Sequence, residues 1–287
     1  MSQHAVATAN PKIHVIQQVI KWAVYTLLII NWIYYIFEDA NRAAHILVAG
    51  STLLDWTSEF ANSIDESGWF FLLFMFELET YIVDDKHWKG WLAHTIRGVR
   101  LFCYVLIAHT LFAYFMVVVD LQPTVAVENV SSLCDMVEAD VSYVYNLEYT
   151  DVDQQNCGTL SAESEFYWLA GDPVVSDLAG LELERDLALV DLIEASLWLL
   201  ILLAIEIAVR LQDRGVTGGP LLSAANAASK IMYLSLIAIG IYWANLSHWL
   251  YLWDELVWIL GFAAIEMNIS QWHDELIDKS AKTGVTT

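Results

Sequence analysis

Residues 101–119, LFCYVLIAHTLFAYFMVVV, and residues 231–253, IMYLSLIAIGIYWANLSHWLYLW, contain no Asp, Glu, Lys or Arg. Each stretch has close to the roughly 20 apolar residues that an α-helix needs to cross a lipid bilayer. The whole chain of 287 residues agrees with this interpretation, because 57% of it is hydrophobic and only 17% is charged. A soluble domain carries about 25% charged residues. The sequence therefore predicts a membrane protein.

Four further stretches are long and apolar enough to span a bilayer, and three of them contain Glu. In chain order, the six predicted spans are Ile20–Phe37, Ser67–Val83, Leu101–Val119, Leu192–Leu211, Ile231–Trp253 and Leu256–His273. A shorter apolar segment, Ala43–Leu54, has only about a dozen residues, too few to cross. We expect this segment to be a loop at the membrane interface.

The basic residues predict the orientation of the chain. Eleven of the 13 Lys and Arg residues lie at the two termini or in the connections after the second and fourth spans. Only Arg42 and Arg185 lie on the other side of the membrane in a six-span topology. Because cytoplasmic loops retain Lys and Arg, this asymmetry predicts a multi-pass protein of the plasma (inner) membrane with both termini in the cytoplasm.

The spans define the domain organisation. It consists of a cytoplasmic N-terminus (residues 1–18), spans one to three with their loops (19–120), an extracytoplasmic cap (121–190), spans four to six (191–274) and a cytoplasmic tail (275–287). The cap contains 14 Asp or Glu residues and one Arg. It also contains Cys134 and Cys157, which we predict to form a disulfide because an outer compartment is oxidising. Alternating apolar residues over Val141–Tyr149 predict a short strand, and Ala179–Asp191 reads as a helix leading into the fourth span.

An internal repeat relates the even-numbered spans. Asp65, Glu66 and Trp69 precede Glu77 at the same offsets at which Asp254, Glu255 and Trp258 precede Glu266, and a looser version contains Glu194, Trp198 and Glu206. The odd-numbered spans each begin beside a basic residue, namely Lys21, Arg100 or Lys230. The predicted fold is an all-α polytopic membrane protein in which six transmembrane helices form three pseudo-repeated helical hairpins, with a small extracytoplasmic loop domain.

Three acidic residues are predicted to lie at one depth in the membrane. Helix geometry places Glu77, Glu206 and Glu266 roughly 10–12 Å from the cytoplasmic ends of their helices. A charged carboxylate at such a depth is costly unless it is paired, protonated or in water. The functional hypothesis is an ion pathway lined by these three residues with His109 and Glu79, and with Glu66, Glu194 and Glu255 at its outer mouth.

A structural interpretation competes with this hypothesis. Each buried Glu is instead the partner of a basic residue that opens a neighbouring span, Lys21, Arg100 or Lys230. Glu206 also has Arg210 four residues further along its own helix, a spacing that favours an ion pair. For His109, the corresponding interpretation is a neutral imidazole hydrogen-bonded to a neighbouring helix.

Composition and missing motifs limit the function classes. A formal charge of −22 disfavours nucleic acid as a partner, because nucleic-acid binding requires a basic surface. No nucleophile–base motif, metal-ligand spacing or cofactor fingerprint is found, so we expect no enzyme activity, metal or cofactor. The leading hypothesis is movement of protons or monovalent cations, as a channel or transporter, with lipid and cations as partners and a homo-oligomer left open. The alternative is a structural or sensory membrane subunit whose acidic outer domain binds a partner.

Overall fold

Long helices make up most of the structure. The computed structural model describes residues 11–78, 90–170, 173–213 and 219–262. Within these ranges, three helices are long and apolar enough to cross a membrane, and they are His94–Asp120, Leu178–Ala208 and Pro220–Asn245. They contain or overlap the predicted third, fourth and fifth spans. The chain is therefore a mostly helical protein with helices suited to a membrane.

The helices begin where local sequence signals place them. In chain order they are α1 (Pro11–Ile46), α2 (Leu53–Glu59), α3 (Ala61–Glu77), α4 (Trp91–Asp120), α5 (Leu178–Asp213), α6 (Pro220–Asn245) and a helix over residues 249–262, here called α7. Helix α6 starts with Pro220 directly after Gly219, which has a φ of 117°. Proline suits the first position of a helix because its φ is fixed and its missing N–H has no partner there.

The segment between α1 and α3 differs from its prediction. We expected Ala43–Leu54 to be a loop, but α1 continues through Ile46 and α2 begins at Leu53. Thr52 caps α2, because its hydroxyl accepts a hydrogen bond from the Asp55 amide while the Asp55 carboxylate accepts one from the Thr52 amide. This reciprocal capping box starts a helix even in a short segment.

The cap contains a five-stranded sheet. Its strands are β1 (Val125–Ala126), β2 (Ser142–Tyr145), β3 (Glu148–Asp151), β4 (Tyr167–Trp168) and β5 (Val174–Ser176), in the order β1-β4-β5-β2-β3. Instead of one strand over Val141–Tyr149, the structure has a β2–β3 hairpin. Asn146 and Leu147 have φ values of 57° and 61°. Two consecutive residues with positive φ form the tight turn that reverses the chain between antiparallel strands.

Two apolar clusters hold the cap together. One contains Leu133, Met136, Phe166 and Val175, beside the disulfide that joins Cys134 to Cys157. The predicted disulfide is thus confirmed. The second cluster joins the end of α4 and the start of α5 to the sheet, and its members are Leu121, Val144, Leu169, Val174, Leu181 and Ala188. Helix α5 contains the helix predicted over residues 179–191 and connects the cap to the fourth predicted span.

The described residues fall into two compact units. The first unit contains Trp32–Ala195, and the second contains the described parts of His4–Asn31 and Ser196–Thr287. In the first unit, α3 packs against α4, where Gly68 lies beside Ile107. In the second unit, Gly240 of α6 faces Leu252 and Glu255 of α7. In both pairs the missing side chain of a glycine allows close approach of two helices.

Candidate functional site: carboxylates at the helix ends

Two residues of the predicted ion pathway, Glu79 and Glu266, lie outside the described part of the chain. Glu77 is the last residue of α3, but its side chain and that of Lys21 are also outside the description. Of the residues predicted to line the inner pathway, the structure describes the side chains of Glu206 and His109. Of their possible basic partners, it describes Arg100, Arg210 and Lys230.

Glu206 is paired within its own helix. Arg210 Nη2 lies 2.8 Å from Glu206 Oε1, and Arg210 Nε donates to the same oxygen at 2.9 Å. Lys230 is exposed on α6, and Arg100 Nη2 donates to the Tyr104 hydroxyl at 3.4 Å. The ion pair with Arg210, which the structural interpretation predicted, is therefore present at Glu206.

His109 lies in the middle of α4 among apolar residues. Its Nε2 atom is buried, and no hydrogen-bond partner for that atom occurs among the residues that the structure describes. The neighbouring Thr110 hydroxyl donates to the Leu106 carbonyl at 3.2 Å and approaches the Ala61 carbonyl at 3.4 Å. Thr110, rather than its neighbour His109, therefore forms a polar contact between α4 and α3.

Two of the three residues predicted at an outer mouth are buried. Glu66 is 7% exposed and Glu255 is 3% exposed. Trp198 Nε1 donates to Glu255 Oε1 at 3.2 Å. Glu194, the third residue, is half-buried on α5. Only Glu194 thus has the accessibility expected of a residue at an open mouth.

Electrostatic interactions link a set of acids of which the sequence analysis singled out Asp65 and Glu194, but not Glu38, Asp39 or Asp191. We call it the outer carboxylate cluster, and it consists of Glu38, Asp39, Asp65, Asp191 and Glu194. Its members come from α1, α3 and α5. Asp39, Asp65, Asp191 and Glu194 interact electrostatically with Tyr114 of α4, and Glu38 interacts with Asp191. All of them lie in the first unit. Four helices therefore contribute to one strongly acidic region.

Asp39 is the fully buried member of the cluster, with 0% exposure. Its Oδ2 accepts hydrogen bonds from the Ser63 amide at 2.8 Å and from the Ser63 hydroxyl at 2.6 Å. Its Oδ1 accepts from Arg42 Nη2 at 3.2 Å. A buried carboxylate requires such compensation, because its desolvation is costly. Asp39 therefore has the environment of a structural anchor.

Arg42 is the basic residue that borders the cluster. Besides Asp39, it binds the end of α2, donating from Nε to Glu59 Oε2 at 3.1 Å and from Nη2 to the Glu59 carbonyl at 2.6 Å. It also interacts electrostatically with Asp191. Much of its hydrogen-bonding capacity is thus committed to Asp39 and Glu59 rather than to the remaining acids.

The other acids meet around a phenol. The Tyr114 hydroxyl donates to Asn62 Oδ1, and the ring interacts electrostatically with Asp65, Asp191 and Glu194. Asp191 also interacts with Glu38 and Glu194, which carry the same charge. Like charges that repel one another favour binding of a cation or a proton, because either reduces their repulsion.

The region does not have the geometry of a compact metal centre. Among the described residues, no group of three or more His, Cys, Asp or Glu side chains is placed to hold a metal ion. A group of acids without such a centre produces a negative field that attracts counter-ions in general.

A weak signal for the cluster exists in the sequence. Acidic residues directly flank the outer ends of three predicted spans, with Glu38 after the first, Asp65 before the second and Asp191 before the fourth. The sequence analysis emphasised the repeated acids, which include Asp65 and Glu194. Position along the chain predicts a similar membrane depth for Glu38, Asp65 and Asp191, but not which helices bring them together.

Comparison with known proteins gives no family for this chain. No family model, no curated protein and no solved structure matches it. The function is therefore argued from the site alone.

Proposed function

We propose that this protein moves protons or monovalent cations across a membrane, and that the outer carboxylate cluster is where they enter. The observation that carries the proposal is the electrostatic interaction of Asp65, Asp191 and Glu194 with the same phenol, Tyr114. A cleft lined by one sign of charge raises the local concentration of counter-ions. Carboxylate groups at membrane helices also select cations over anions.

The acidic cap also supports entry of cations from the side of the membrane on which the cap is proposed to lie. It carries 14 acids and one basic residue, Arg185. The Arg185 guanidinium donates to the carbonyl oxygens of Leu121 and Gln122 at 2.7 and 2.9 Å. The guanidinium keeps its positive charge but forms these bonds with neutral carbonyls rather than with carboxylates, and the 14 acids outnumber it, so the cap has a negative potential.

The proposed topology has six spans in three repeated hairpins, with both termini in the cytoplasm and the cap outside the plasma (inner) membrane. Burial supports equivalence of the second and sixth spans. The buried positions Glu66, Gly68, Trp69 and Leu73 of α3 correspond, offset by offset, to the buried positions Glu255, Val257, Trp258 and Phe262 of α7. Equal burial at equal offsets is expected if the two helices descend from one repeated hairpin.

The inner part of the proposed pathway consists of Glu77, Glu79, Glu206, Glu266 and His109. His109 supports this part best, because a buried imidazole nitrogen at membrane depth suits a proton relay. Glu206 supports it least, since Arg210 neutralises its charge. Lipid and cations are the proposed partners, and a homo-oligomer is compatible with this arrangement.

A second candidate function is a structural or sensory membrane subunit with an acidic outer domain that binds a partner. The ion pairs favour it. Both Glu206 and Asp39 contact an arginine of their own helix, at 2.8 and 3.2 Å. Acids that are paired in this way stabilise a scaffold and need no ion in transit.

Ion flux distinguishes the two functions. Purified protein is reconstituted in liposomes, and fluxes of H⁺, Na⁺ and K⁺ are measured for the wild type, Asp191→Asn and Asp186→Asn. Asp186 is an exposed acid on the same helix, so its variant is the matched control. We expect flux in the wild type and in Asp186→Asn, and at least about a tenfold loss in Asp191→Asn, because the substitution removes a titratable carboxyl group from the cluster.

Two results would contradict the proposal. Wild-type protein that moves none of the three ions across the liposome membrane would exclude transport and favour the structural subunit. Equal fluxes in Asp191→Asn and Asp186→Asn would exclude the cluster as the entry site. Thermal unfolding of the same preparations verifies that both variants are folded.

A further inference from the structure

The hydrogen-bond ladder of a helix is interrupted between α2 and α3. In a continuous α-helix, the Ser63 amide would donate to the Glu59 carbonyl four residues earlier. Instead, the Ser63 amide donates to Asp39 Oδ2 at 2.8 Å. The Glu59 carbonyl accepts a hydrogen bond from Arg42 Nη2 at 2.6 Å. Phe60, with a φ of −97° and a ψ of 25°, is the single residue that separates the two helices.

An ion pair of α1 fills this break. Asp39 and Arg42 contact each other at 3.2 Å, and Asp39 is fully buried. The pair supplies the acceptor and the donor that the interrupted ladder lacks. Irregular backbone at membrane depth requires such compensation, because lipid offers no hydrogen bonds to peptide groups. The break is therefore suited to the interior of a bilayer.

Contacts between α3 and α4 indicate the depth of the break. The Ala61 carbonyl lies 3.4 Å from the Thr110 hydroxyl, and the next residue, Asn62, accepts a hydrogen bond from the Tyr114 hydroxyl. Thr110 lies nine residues before the end of the apolar stretch 101–119, a rise of about 14 Å in an α-helix. The start of α3 is thus level with the interior of a predicted membrane span.

Helix α2 lies between this depth and the cap. Gly68, later in α3, lies beside Ile107, so α3 runs antiparallel to α4. Ile46, the last residue of α1, packs against the apolar cluster of the cap that contains Leu121. Because α2 follows α1, precedes α3 and also packs against α4, it lies beside the last turns of the apolar stretch 101–119.

The exposed side chains of α2 are mostly apolar. Leu53 is 80% exposed and Trp56 is 50% exposed, and Leu54 is exposed as well. Asp55, the acid among them, accepts a hydrogen bond from the Thr52 amide in the capping box. Tryptophan is favoured where acyl chains meet headgroups, since its ring is apolar and its N–H is polar. The composition of this surface therefore suits the boundary between the hydrocarbon and the headgroups.

We propose that α2 and α3 form one discontinuous membrane span, in which α2 inserts among the acyl chains next to the headgroups on the side of the membrane that carries the cap. Phe112, Phe115 and Val119 of α4 are exposed at the same depth, so the apolar surface for lipid continues from α4 onto α2. The span then begins near Leu53 instead of at Ser67, where the sequence pattern predicts it. The proposal rests on the membrane location of α4 and does not depend on ion movement.

Nitroxide spin labels test this depth in the full-length protein, reconstituted in liposomes without reductant so that the disulfide is kept. In a Cys103→Ser background, single variants Leu53→Cys and Trp56→Cys are labelled. Phe112→Cys is the reference within the bilayer, and Glu138→Cys, at an exposed cap position, is the reference in water. The rates of collision with oxygen and with a polar nickel chelate are measured at each label.

We expect the ratio of oxygen to nickel collisions at Leu53 and Trp56 to be at least about threefold higher than at Glu138, because a polar chelate is excluded from hydrocarbon whereas oxygen dissolves in it. The ratio should not exceed that at Phe112, which lies deeper. Ratios at both α2 positions equal to that at Glu138 would overturn the proposal, since α2 would then lie in water. Low collision rates with both reagents would also overturn it, because protein rather than lipid would then cover α2. A water-like ratio at Phe112 would likewise overturn it, since the depth of α2 is measured from α4.

Discussion

Asp39 and Ser63 are joined by two hydrogen bonds, from the Ser63 amide at 2.8 Å and from its hydroxyl at 2.6 Å to the same carboxylate oxygen. The contact connects α1 to the first turn of α3 and places a fully buried charge between them. Ser63→Ala removes the hydroxyl donor, and we expect it to lower the free energy of unfolding by about 1–3 kcal/mol. Ser67→Ala is the control on the same helix, because the Ser67 hydroxyl donates to the Ser63 carbonyl within α3 rather than to α1. Equal melting temperatures for the two variants in detergent would contradict the prediction.

The disulfide between Cys134 and Cys157 closes a loop with a sequence separation of 23 residues. We expect its reduction to destabilise the cap by about 2–4 kcal/mol, because the cross-link restricts the unfolded chain. Cleavage by a Glu-specific protease measures this effect, since the cap is rich in Glu. Cleavage should accelerate in reductant, and Cys103→Ser, which changes a buried free thiol, should leave the reductant effect unchanged. Unreduced peptides that show two free thiols would refute the pairing.

The proposed topology predicts which positions accept a membrane-impermeant thiol reagent. A cysteine introduced at Glu138 in the cap should be labelled from outside in intact cells, whereas one at Lys89 or Lys282 should not. The reason is the retention of basic residues on the cytoplasmic side. Permeabilised cells serve as the control, because all three positions should then react. Labelling at Lys89 in intact cells would reverse the orientation.

Asp177 links the stability of the cap to pH. Its burial acts to raise the pKa, but hydrogen bonds from the Ser161 hydroxyl, the Gly180 amide and the Tyr143 hydroxyl outweigh it, and the pKa of Asp177 lies below its usual range. A carboxyl with a lowered folded-state pKa stabilises the fold above its unfolded-state pKa of about 3.9. That stabilisation is lost as the pH falls through the folded-state value. Melting temperatures should therefore drop below about pH 4.

The Asp177→Asn variant tests whether protonation of Asp177, rather than of the other carboxyl groups, causes the loss of stability in acid. Asparagine still caps a helix, so α5 should retain its start. The variant should be less stable than the wild type at pH 7 by about 1–2 kcal/mol, and its stability should fall less in acid. Glu138→Gln, at an exposed cap position, is the control. An identical acid dependence in Asp177→Asn and the wild type would assign the drop to other carboxyl groups.

The three inner Glu residues should respond differently to Gln substitution. Glu206→Gln breaks a partly exposed pair with Arg210, so we expect a loss of only about 0.3–0.5 kcal/mol of stability and little change in flux. Glu77→Gln and Glu266→Gln should behave alike, because their surroundings in the sequence match offset by offset. If they line an ion path, flux falls while the fold is retained. Normal flux with a collapsed melting temperature would instead indicate buried ion pairs.

Features that depend on short-range chemistry were predictable from the sequence. The apolar stretches locate the membrane helices, since burial in lipid requires a minimum length of apolar helix whatever the fold. The Cys134–Cys157 pairing follows from two cysteines in one acidic outer segment, and the Glu206–Arg210 pair from a spacing of four residues on one helix. In each case, the interacting groups are close in sequence or have no competing partner.

The β2–β3 hairpin and the extension of α1 were only partly predictable. Alternation of apolar residues indicates a strand, but the reversal at Asn146 and Leu147 depends on positive φ values that neither residue strictly requires. The end of α1 depends on His45 and Ile46, which contact the sheet of the cap. Because these tertiary contacts stabilise its last turn, α1 extends beyond the apolar stretch that predicted the first span.

The outer carboxylate cluster was decided by the tertiary structure alone. The sequence gives each acid a place near the end of a predicted span, so it predicts a similar membrane depth for Glu38, Asp65 and Asp191. It does not state which helices are neighbours or which face of each helix turns inward. Those depend on the packing of α1, α3, α4 and α5, and packing decides whether an acid binds an arginine directly, as Asp39 binds Arg42, or interacts most strongly with another acid, as Asp191 does with Glu194. Electrostatic energy depends on distance through space, and positions that are far apart in the chain have no defined distance until the helices are packed.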